Sequence, residues 1–559
     1  MHSETRDVDV LIIGSGPIGA TFARELVKPG RTVHMIDAGA QQSAHYGEHL
    51  KNSFLYQRNV DLFVSVIRGH LSPVSVPTRD DPVLTLDPSA FQYDPTEYSG
   101  FIKNAQNPDQ NRHENLDAAA VTYAVGGMAT HWTCATPRFH KEVELSWTSP
   151  AGVEHKYPIP LDELDQLYQQ AEEIICTTNK AFDQSIRHQL VRSALSEQGI
   201  KEVESLPLAV RRREDDKDLV TWSGTDTVLG PLADPAWMSR TTKEQDGEFV
   251  LFPQHQCKRL VFNSEQNEVE YAEVRNLTDL SKEIYIRAKI YVVACNALLT
   301  PQLLFASDLT DERLPALGHY LTEQPMSFCQ VLLHQHLIDK IESYLENKLA
   351  KRVIDYRENH SYDPISIPIH EPEPNLWIPV SKENPWHCQI HRDAFSYGDV
   401  APDVDPRLVV DLRWFGICRP RSENKVTFST RIMDSFGMPQ PTFCFKLSEE
   451  ERRNASRMMD HMTNVAPALG GYLPGSEPQF LKPGLPLHFA GTTRMGQDAE
   501  TSVVNEDSRV HIVENLYLGG NGLHPFGNAA NPTLTSMAIA LKSARHINDQ
   551  FDRSGQRHE

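Results

Sequence analysis

The run Val8–Ile13 followed by Gly14-Ser15-Gly16-Pro17-Ile18-Gly19 constrains the fold of this chain more than any other feature. A short, mostly apolar run that meets glycine reads as a strand buried on both faces. Ala20–Val27 continues at helical spacing, and a second apolar run, Thr32–Ile36, ends in Asp37. In such a unit the first glycine permits a tight turn and the second leaves room for a ligand to approach the backbone. The third lets the helix pack close to the strand, and free N–H groups at the helix start attract phosphate. A carboxylate ending the second strand, here Asp37, is placed to accept hydrogen bonds from a ribose diol. Strand, glycines, helix, strand and acid in register predict a dinucleotide-binding βαβ unit. The pattern alone does not separate FAD from NAD.

A chain of 559 residues is long enough for two or three domains with ample core. Its formal charge of −21 argues against nucleic acid or an anionic membrane as a partner. The eight cysteines, at 134, 176, 257, 295, 329, 388, 418 and 444, are scattered without a C-x-x-C pair. They read as reduced, mostly buried thiols rather than a disulfide framework or a zinc site, and no metal is expected. No apolar signal core precedes the first strand, and the apolar runs are too short to span a bilayer. The expectation is a soluble protein, cytoplasmic or exported without a conventional signal.

Asp61 to Asn115 is poor in periodicity, rich in Pro, Asp and Asn, and carries a β-like island at Val74-Ser75-Val76. It reads as a loop-rich arm that covers a site or touches another subunit. Leu161, Leu164, Leu167, Tyr168, Ala171 and Ile174 predict an amphipathic helix outside the nucleotide-binding part. Lys289–Cys295 reads as a strand leading into a second strand–turn–helix through Pro301, and Gln330–Asn359 as mostly helical. Pro364–Trp386 is proline-dense and extended, and Arg407–Phe428 alternates like an antiparallel sheet. Asn515–Gly520 reads as a strand entering glycine, and Pro532–Ile547 as a helix with proline in its first turn. The expected class is α/β (α+β overall). A discontinuous Rossmann-like nucleotide-binding domain is made from 1–60, 116–140, 235–325 and 486–555. The arm is 61–115, and an inserted substrate domain, 141–234 with 326–485, is built on an antiparallel sheet with helices.

Leu487-His488-Phe489-Ala490-Gly491 lies forty-three residues before Asn531-Pro532-Thr533. Oxidation of an alcohol needs a base for the hydroxyl proton, for which a neutral imidazole suits, and a nearby amide to hold the developing alkoxide. A helix opening at Pro532 aims its positive end at whatever precedes it, favouring a group that gains negative charge. In Gln389-Ile-His-Arg-Asp-Ala-Phe-Ser-Tyr397-Gly, polar side chains interleave with aromatics, which suits the hydroxyl edges and apolar faces of a pyranose. Taken alone, that stretch reads first as an ordinary hairpin or turn, and any one of the 24 histidines reads first as a packed core residue.

GSGPIG with Asp37, AVGGMATHWTCATPRF, QIHRDAFSYG, LPGSEPQF, DSRV and NPTLTSM resemble, in order, blocks of the glucose–methanol–choline (GMC) oxidoreductases. The resemblance spans nearly the whole chain and is greatest to members that oxidise a pyranose at C2. It implies FAD, bound by Gly14, Gly16, Gly19, Asp37, Thr130, Trp132, Thr133, Cys257, Asn521, Asn531 and Thr533. It also implies a covalent bond from His131 to the flavin 8α carbon, and a place for Thr133 beside flavin N5 and O4. His488 matches the catalytic base and Asn531 its partner. Gln389, His391, Asp393, Phe395 and Tyr397 match a sugar-contacting segment and mobile loop. Arg413 matches an arginine near that loop, where an ordinary salt bridge is an equal reading.

The implied reaction is FAD-dependent oxidation of a pyranose ring hydroxyl, C2 of D-glucose first, to a keto-sugar, with O2 reduced to H2O2. The rivals are a glycoside 3-oxidase, a quinone-dependent sugar dehydrogenase, and a flavin-bearing sugar sensor without turnover. The implied partners are a monosaccharide or glycoside, O2 or a quinone, and a second copy in a dimer or tetramer, without nucleic acid or membrane. Four departures stand out. Thr493 replaces a frequent histidine, and Asn296 replaces a usual glycine, a position that asparagine also tolerates in a left-handed conformation. His524 replaces an apolar residue and is expected to face the flavin. The segment 345–372 is shortened, which weakens transfer of the tetramer and opens the pocket to bulkier glycosides.

Overall fold

The computed structural model describes residues 2–75, 107–148, 152–216, 219–392, 400 and 403–555. Its first strand, β1 (His2–Ile13), begins six residues earlier than the apolar run predicts. The reason lies in its partner, Lys282–Val293, which is equally long and pairs with it in parallel from His2↔Lys282 to Ile13↔Val293. The helix α1 (Pro17–Leu26) follows the glycine turn, and β2 (Thr32–Ile36) returns parallel to β1, buried throughout. The sheet order is Glu248–Phe252, β2, β1, Lys282–Val293, Val269–Asn276, His255–Phe262, with Leu516–Leu518 also paired to Lys282–Val293. The strands nearest the turn are parallel, and the two at the far edge run antiparallel. Strands from three distant stretches of chain therefore form one sheet, with α1 and the C-terminal helix Thr533–Gly555 packed together on it.

A second, antiparallel sheet orders Gly470–Tyr472, Met326–Leu333, Val409–Gly416, Trp386–His391, Asn375–Ile378 and Glu204–Ser205. Alternation decides what each of its faces does. Cys388, Ile390, Leu412 and Trp414 point into a core shared with Met458 and Met462 of the helix Glu449–Val465. The intervening residues pair as His387↔Phe415, Gln389↔Arg413 and His391↔Asp411 on the opposite face.

Four sequence expectations are corrected. Val60–His70 is a helix rather than part of a loop, because Phe63, Val64 and Ile67 recur at helical spacing and are buried. The β-like island falls earlier, at Leu71–Pro73, paired with Ala120–Thr122. Gln330 to Leu333 belongs to a strand, and helix returns only at Gln335–Asp339 and Asn347–Asn359. Leu161–Ile175 does not stand apart from the first sheet: Leu164, Leu167, Tyr168, Ala171 and Ile175 join its core, and the Tyr168 hydroxyl lies 2.8 Å from Oγ1 of Thr535. Among the described residues, no helix is long and apolar enough to cross a membrane.

Candidate active site

A cavity of about 1920 Å³, its open mouth included, lies between the two sheets. At one end it is walled by Gly14, Gly16 and Asp37, and at the other by Gln389, Arg413, Phe415, His488 and Asn531. Trp132, Thr133, Cys257, Asn521 and Thr533 also line it.

The glycine turn is built to be close-packed on one side and open on the other. Gly14 has φ +103°, and a Cβ there would lie 2.5 Å from the carbonyl oxygen of Ala294. A Cβ on Gly19 would lie 1.9 Å from the carbonyl oxygen of Gly14. At Gly16, which faces the cavity, a Cβ would meet no protein atom within 4 Å. The chain thus leaves room beside backbone N–H groups at the start of α1, the cradle a dinucleotide phosphate requires. Asp37 accepts from Ser15 N (2.8 Å), Ser15 Oγ (2.6 Å) and Gly39 N (2.7 Å), and burial pushes its carboxyl upward. It therefore fixes the turn from within while lining the cavity. Asn296, with φ +69°, takes the left-handed conformation expected of it, and its side chain accepts from the N–H groups of Leu298 and Leu299.

At the far end, hydrogen bonding determines the state of His488. The amide nitrogen of Gln324 donates to the carbonyls of Asn528 (2.9 Å) and Ala530 (3.3 Å). Its oxygen is thereby left for His488 Nδ1, 2.7 Å away, so that nitrogen carries the proton. Nε2 keeps its lone pair and lies 3.2 Å from Nδ2 of Asn531. Gln389 donates to Oδ1 of Asn531 at 2.7 Å, which fixes the second amide as well. Burial lowers the His488 imidazole to about 4, so it is neutral at ordinary pH. The ring of Phe415 lies 5.7 Å from it, centre to centre, and Leu487, immediately before it, is held at φ +61°. A non-glycine residue in that region stores strain, which the surrounding packing must hold.

Asn531 is positioned by a carboxylate. Glu144 accepts from the N–H groups of Ala529 (2.7 Å), Ala530 (2.8 Å) and His140 (2.6 Å), clamping the turn before Asn531. Just beyond begins the 23-residue helix from Thr533, whose positive end faces the cavity.

Not every expected residue reaches the cavity. His131 lies wholly buried behind its wall, with Nε2 2.9 Å from Oγ1 of Thr122, and burial lowers it to about 3. Thr130 and Gly19 are also behind the lining, and His391 is buried in its strand. His524, expected to face the flavin, does not line the cavity, because Tyr157 and Ser536 hold its ring inside the protein. Thr493 is buried next to Gly522. Asp393, Phe395 and Tyr397 lie outside the described residues. Sequence reasoning missed Gln324, Glu323, His387, Phe415 and Glu144. Of these, only the Glu323-Gln324 pair carries a signal, two polar residues set off by Pro325 alone from the mostly apolar strand Met326–Leu333.

Comparison with known proteins adds four findings. Two family models described as GMC oxidoreductase match residues 8–326 and 420–540. A pyranose 2-oxidase of Emericella nidulans is 44% identical, covering 98% of this chain and 93% of that protein. A C-glycoside 3-oxidase of Microbacterium trichothecenolyticum is 30% identical, with 97% of each covered. Among solved structures, a formate oxidase shares the fold, with TM-score 0.60 at 13% identity over 99% of this chain and 100% of that one.

Proposed function

Because this chain belongs to the GMC oxidoreductase family, we propose that it is an FAD-dependent oxidase of pyranose sugars. The reaction is oxidation of a ring hydroxyl, first of all C2 of D-glucose, to a ketone, with O2 reduced to H2O2. The observation that carries this reading is the orientation of His488. Its Nε2 lone pair and the Asn531 amide are presented into the same cavity that the open face of Gly16 lines.

The first sheet and its glycine turn form the FAD-binding half, and the antiparallel sheet forms the sugar-binding half. FAD fits the residues present: Gly14 and Gly16 would hold its phosphates, Asp37 its ribose, and Trp132, Thr133, Cys257, Asn521 and Thr533 would line the rest of it. A covalent bond from His131 is part of the proposal, and it requires the ring, buried beside Thr122 and outside the lining, to turn toward the cavity. FAD, when bound, supplies the acceptor for the hydride that leaves the sugar carbon. Nε2 of His488 takes the proton of the sugar hydroxyl, and the imidazolium so formed keeps its Nδ1 hydrogen bond to Gln324. The Asn531 amide steadies the hydroxyl oxygen as it gains charge. Gln389 and Arg413, adjacent across two strands, contact the other hydroxyls. Phe415, beside them on the same face, offers an apolar surface to the pyranose ring.

Regiochemistry follows from how the sugar lies in this cleft, and relatives of two specificities align over nearly the whole chain. The deciding experiment is analysis of the keto-sugar formed from D-glucose and from C- and O-glycosides, with O2 and with a quinone as acceptors. A 2-keto product from glucose with H2O2 supports the proposal, and oxidation at C3 of glycosides alone replaces it with the glycoside-oxidase reading. Absence of turnover with every sugar overturns both.

A further inference from the structure

Behind the cavity wall four side chains from three segments join end to end. The Tyr157 hydroxyl lies 2.8 Å from Nδ1 of His524. Nε2 of the same ring lies 2.9 Å from Oγ of Ser536, in the first turn of the C-terminal helix. Ser536 Oγ donates in turn to Oδ1 of Asn521 at 2.8 Å, and Asn521 lines the cavity. Tyr157, His524 and Ser536 are buried, and the Phe139 ring closes over the imidazole at 5.1 Å.

Proton counting fixes the direction of this chain. Ser536 has one hydroxyl hydrogen and gives it to Asn521, so its oxygen must accept from His524, whose Nε2 therefore carries hydrogen. Nδ1 is then a bare acceptor, which the Tyr157 hydroxyl satisfies. The opposite sense would leave the Tyr157 hydroxyl hydrogen without an acceptor among the described residues. With Oδ1 of Asn521 occupied by Ser536, its NH2 is the end left to face the cavity. Two residues earlier, a Cβ on Gly519 would fall 2.8 Å from Ile18 and 3.0 Å from Phe22 of α1. Asn521 thus follows directly on a segment packed against that helix, and it lines the same cavity as Pro17 and Ile18 of the helix.

We propose that Tyr157, His524 and Ser536 are positioning residues that orient Asn521 as a hydrogen-bond donor to an oxygen of the phosphate–polyol part of bound FAD. This rests on the FAD reading above. The imidazole suits the task because burial holds it neutral, at about 3, over the range in which the protein would work. A neutral ring can accept on one side and donate on the other.

The test uses a His131→Ala parent, in which FAD is held by non-covalent contacts alone, and measures FAD affinity by quenching of flavin fluorescence. Asn521→Ala should weaken binding about tenfold or more, the loss of one hydrogen bond to a strongly accepting group. Tyr157→Phe and His524→Leu should each weaken it several-fold, and neither should weaken it further once Asn521 is alanine. The thermal midpoint of the FAD-free protein should be the same for Tyr157→Phe as for its parent. Equal losses in the presence and absence of the Asn521 amide, or unchanged affinity in both variants, overturn the proposal. Should His524→Leu fail to fold, Tyr157→Phe, which removes a single oxygen, decides alone. If neither the parent nor the unmodified chain takes up FAD, the FAD reading itself is lost and this inference with it.

Discussion

Nδ1 of His488 and Oε1 of Gln324 lie 2.7 Å apart, although 164 positions separate them in the chain. The amide is itself tied down by two backbone carbonyls, so it presents only oxygen to the imidazole. Gln324, which does not line the cavity, thereby decides which nitrogen of the His488 imidazole is bare.

His488→Ala should slow sugar-driven flavin reduction by ~10²–10⁴-fold, the usual worth of a positioned base. Gln324→Leu leaves the imidazole present but frees it to take the wrong tautomer, and should cost a smaller factor, about 10–100-fold. Anaerobic stopped-flow measurement of flavin bleaching checks both. Rates in Gln324→Leu equal to those of the unmodified enzyme would show that the tautomer is set some other way.

The pH dependence follows from burial. His488 must be neutral to accept a proton, and with its ionisation pushed down to about 4 the neutral form is about nine-tenths populated at pH 5 and complete by about pH 6. Flavin reduction should therefore be flat from about pH 6 to 8 and fall only in stronger acid. Stability should behave differently. His188, His387 and His524 are held at about 3, against an ordinary 6.5, so the unfolded chain binds protons that the native one refuses. Their contribution is complete above pH 6.5 and is lost as pH falls toward 3, each on the order of 1–2 kcal/mol at pH 5. Glu323, raised to about 8 by burial, acts in the opposite sense, losing stability as pH rises from its ordinary value through 8. Urea titrations across pH 4–9 would read both slopes, and Glu323→Gln should flatten the alkaline one.

Two glycines of one turn should respond in opposite ways to alanine. Gly19→Ala drives a methyl to 1.9 Å from a backbone oxygen and should destabilise the fold by more than about 3 kcal/mol. Gly16→Ala meets no protein atom and should fold normally, while its methyl occupies ligand space and weakens FAD binding. Thermal melts with and without FAD separate the two effects.

Lys51 and Glu373 form a buried ion pair at 2.7 Å, with the ammonium 4.2 Å from the centre of the Trp222 ring. Removing one partner strands the other charge, so Lys51→Met should cost about 3–5 kcal/mol. Lys51→Met with Glu373→Gln should recover much of it. A double-mutant cycle by chemical denaturation is the check, and additive losses would show that the charges do not depend on each other.

Flavin should stay with the polypeptide after acid precipitation, and His131→Ala should release it while the fold survives. Yellow colour that washes free of the unmodified protein would remove the covalent bond and leave the FAD site intact.

What the sequence made legible was local. The glycine turn, β2 and Asp37 are neighbours along the chain, and period and spacing suffice to read them. His488 and Asn531 were legible because each stands in a long, distinctive block. Gln324, Glu144 and Tyr157 were not, because each acts across 160 residues or more, on a partner that only the packed sheets bring near. Val60–His70 escaped notice for a different reason: an apolar stripe only two turns long is hard to see beside a proline-rich stretch. His524 was seen but misplaced, since composition tells that a polar ring has entered an apolar position and not which way it turns.

The bond from Gln389 to Asn531 crosses the seam between the two sheets, one end on a strand of the antiparallel sheet and the other at the mouth of the C-terminal helix. It holds the Asn531 amide so that Nδ2 points at Nε2 of His488, which fills the place where the proposed mechanism seats a hydroxyl. An arriving hydroxyl would have to supplant that second contact, giving its proton to Nε2 and accepting from the Asn531 amide. Sugars stripped of the hydroxyl that reaches Asn531 would leave the latch shut, so the enzyme should discriminate against such deoxy analogues through its own resting contacts as much as through contacts with the guest.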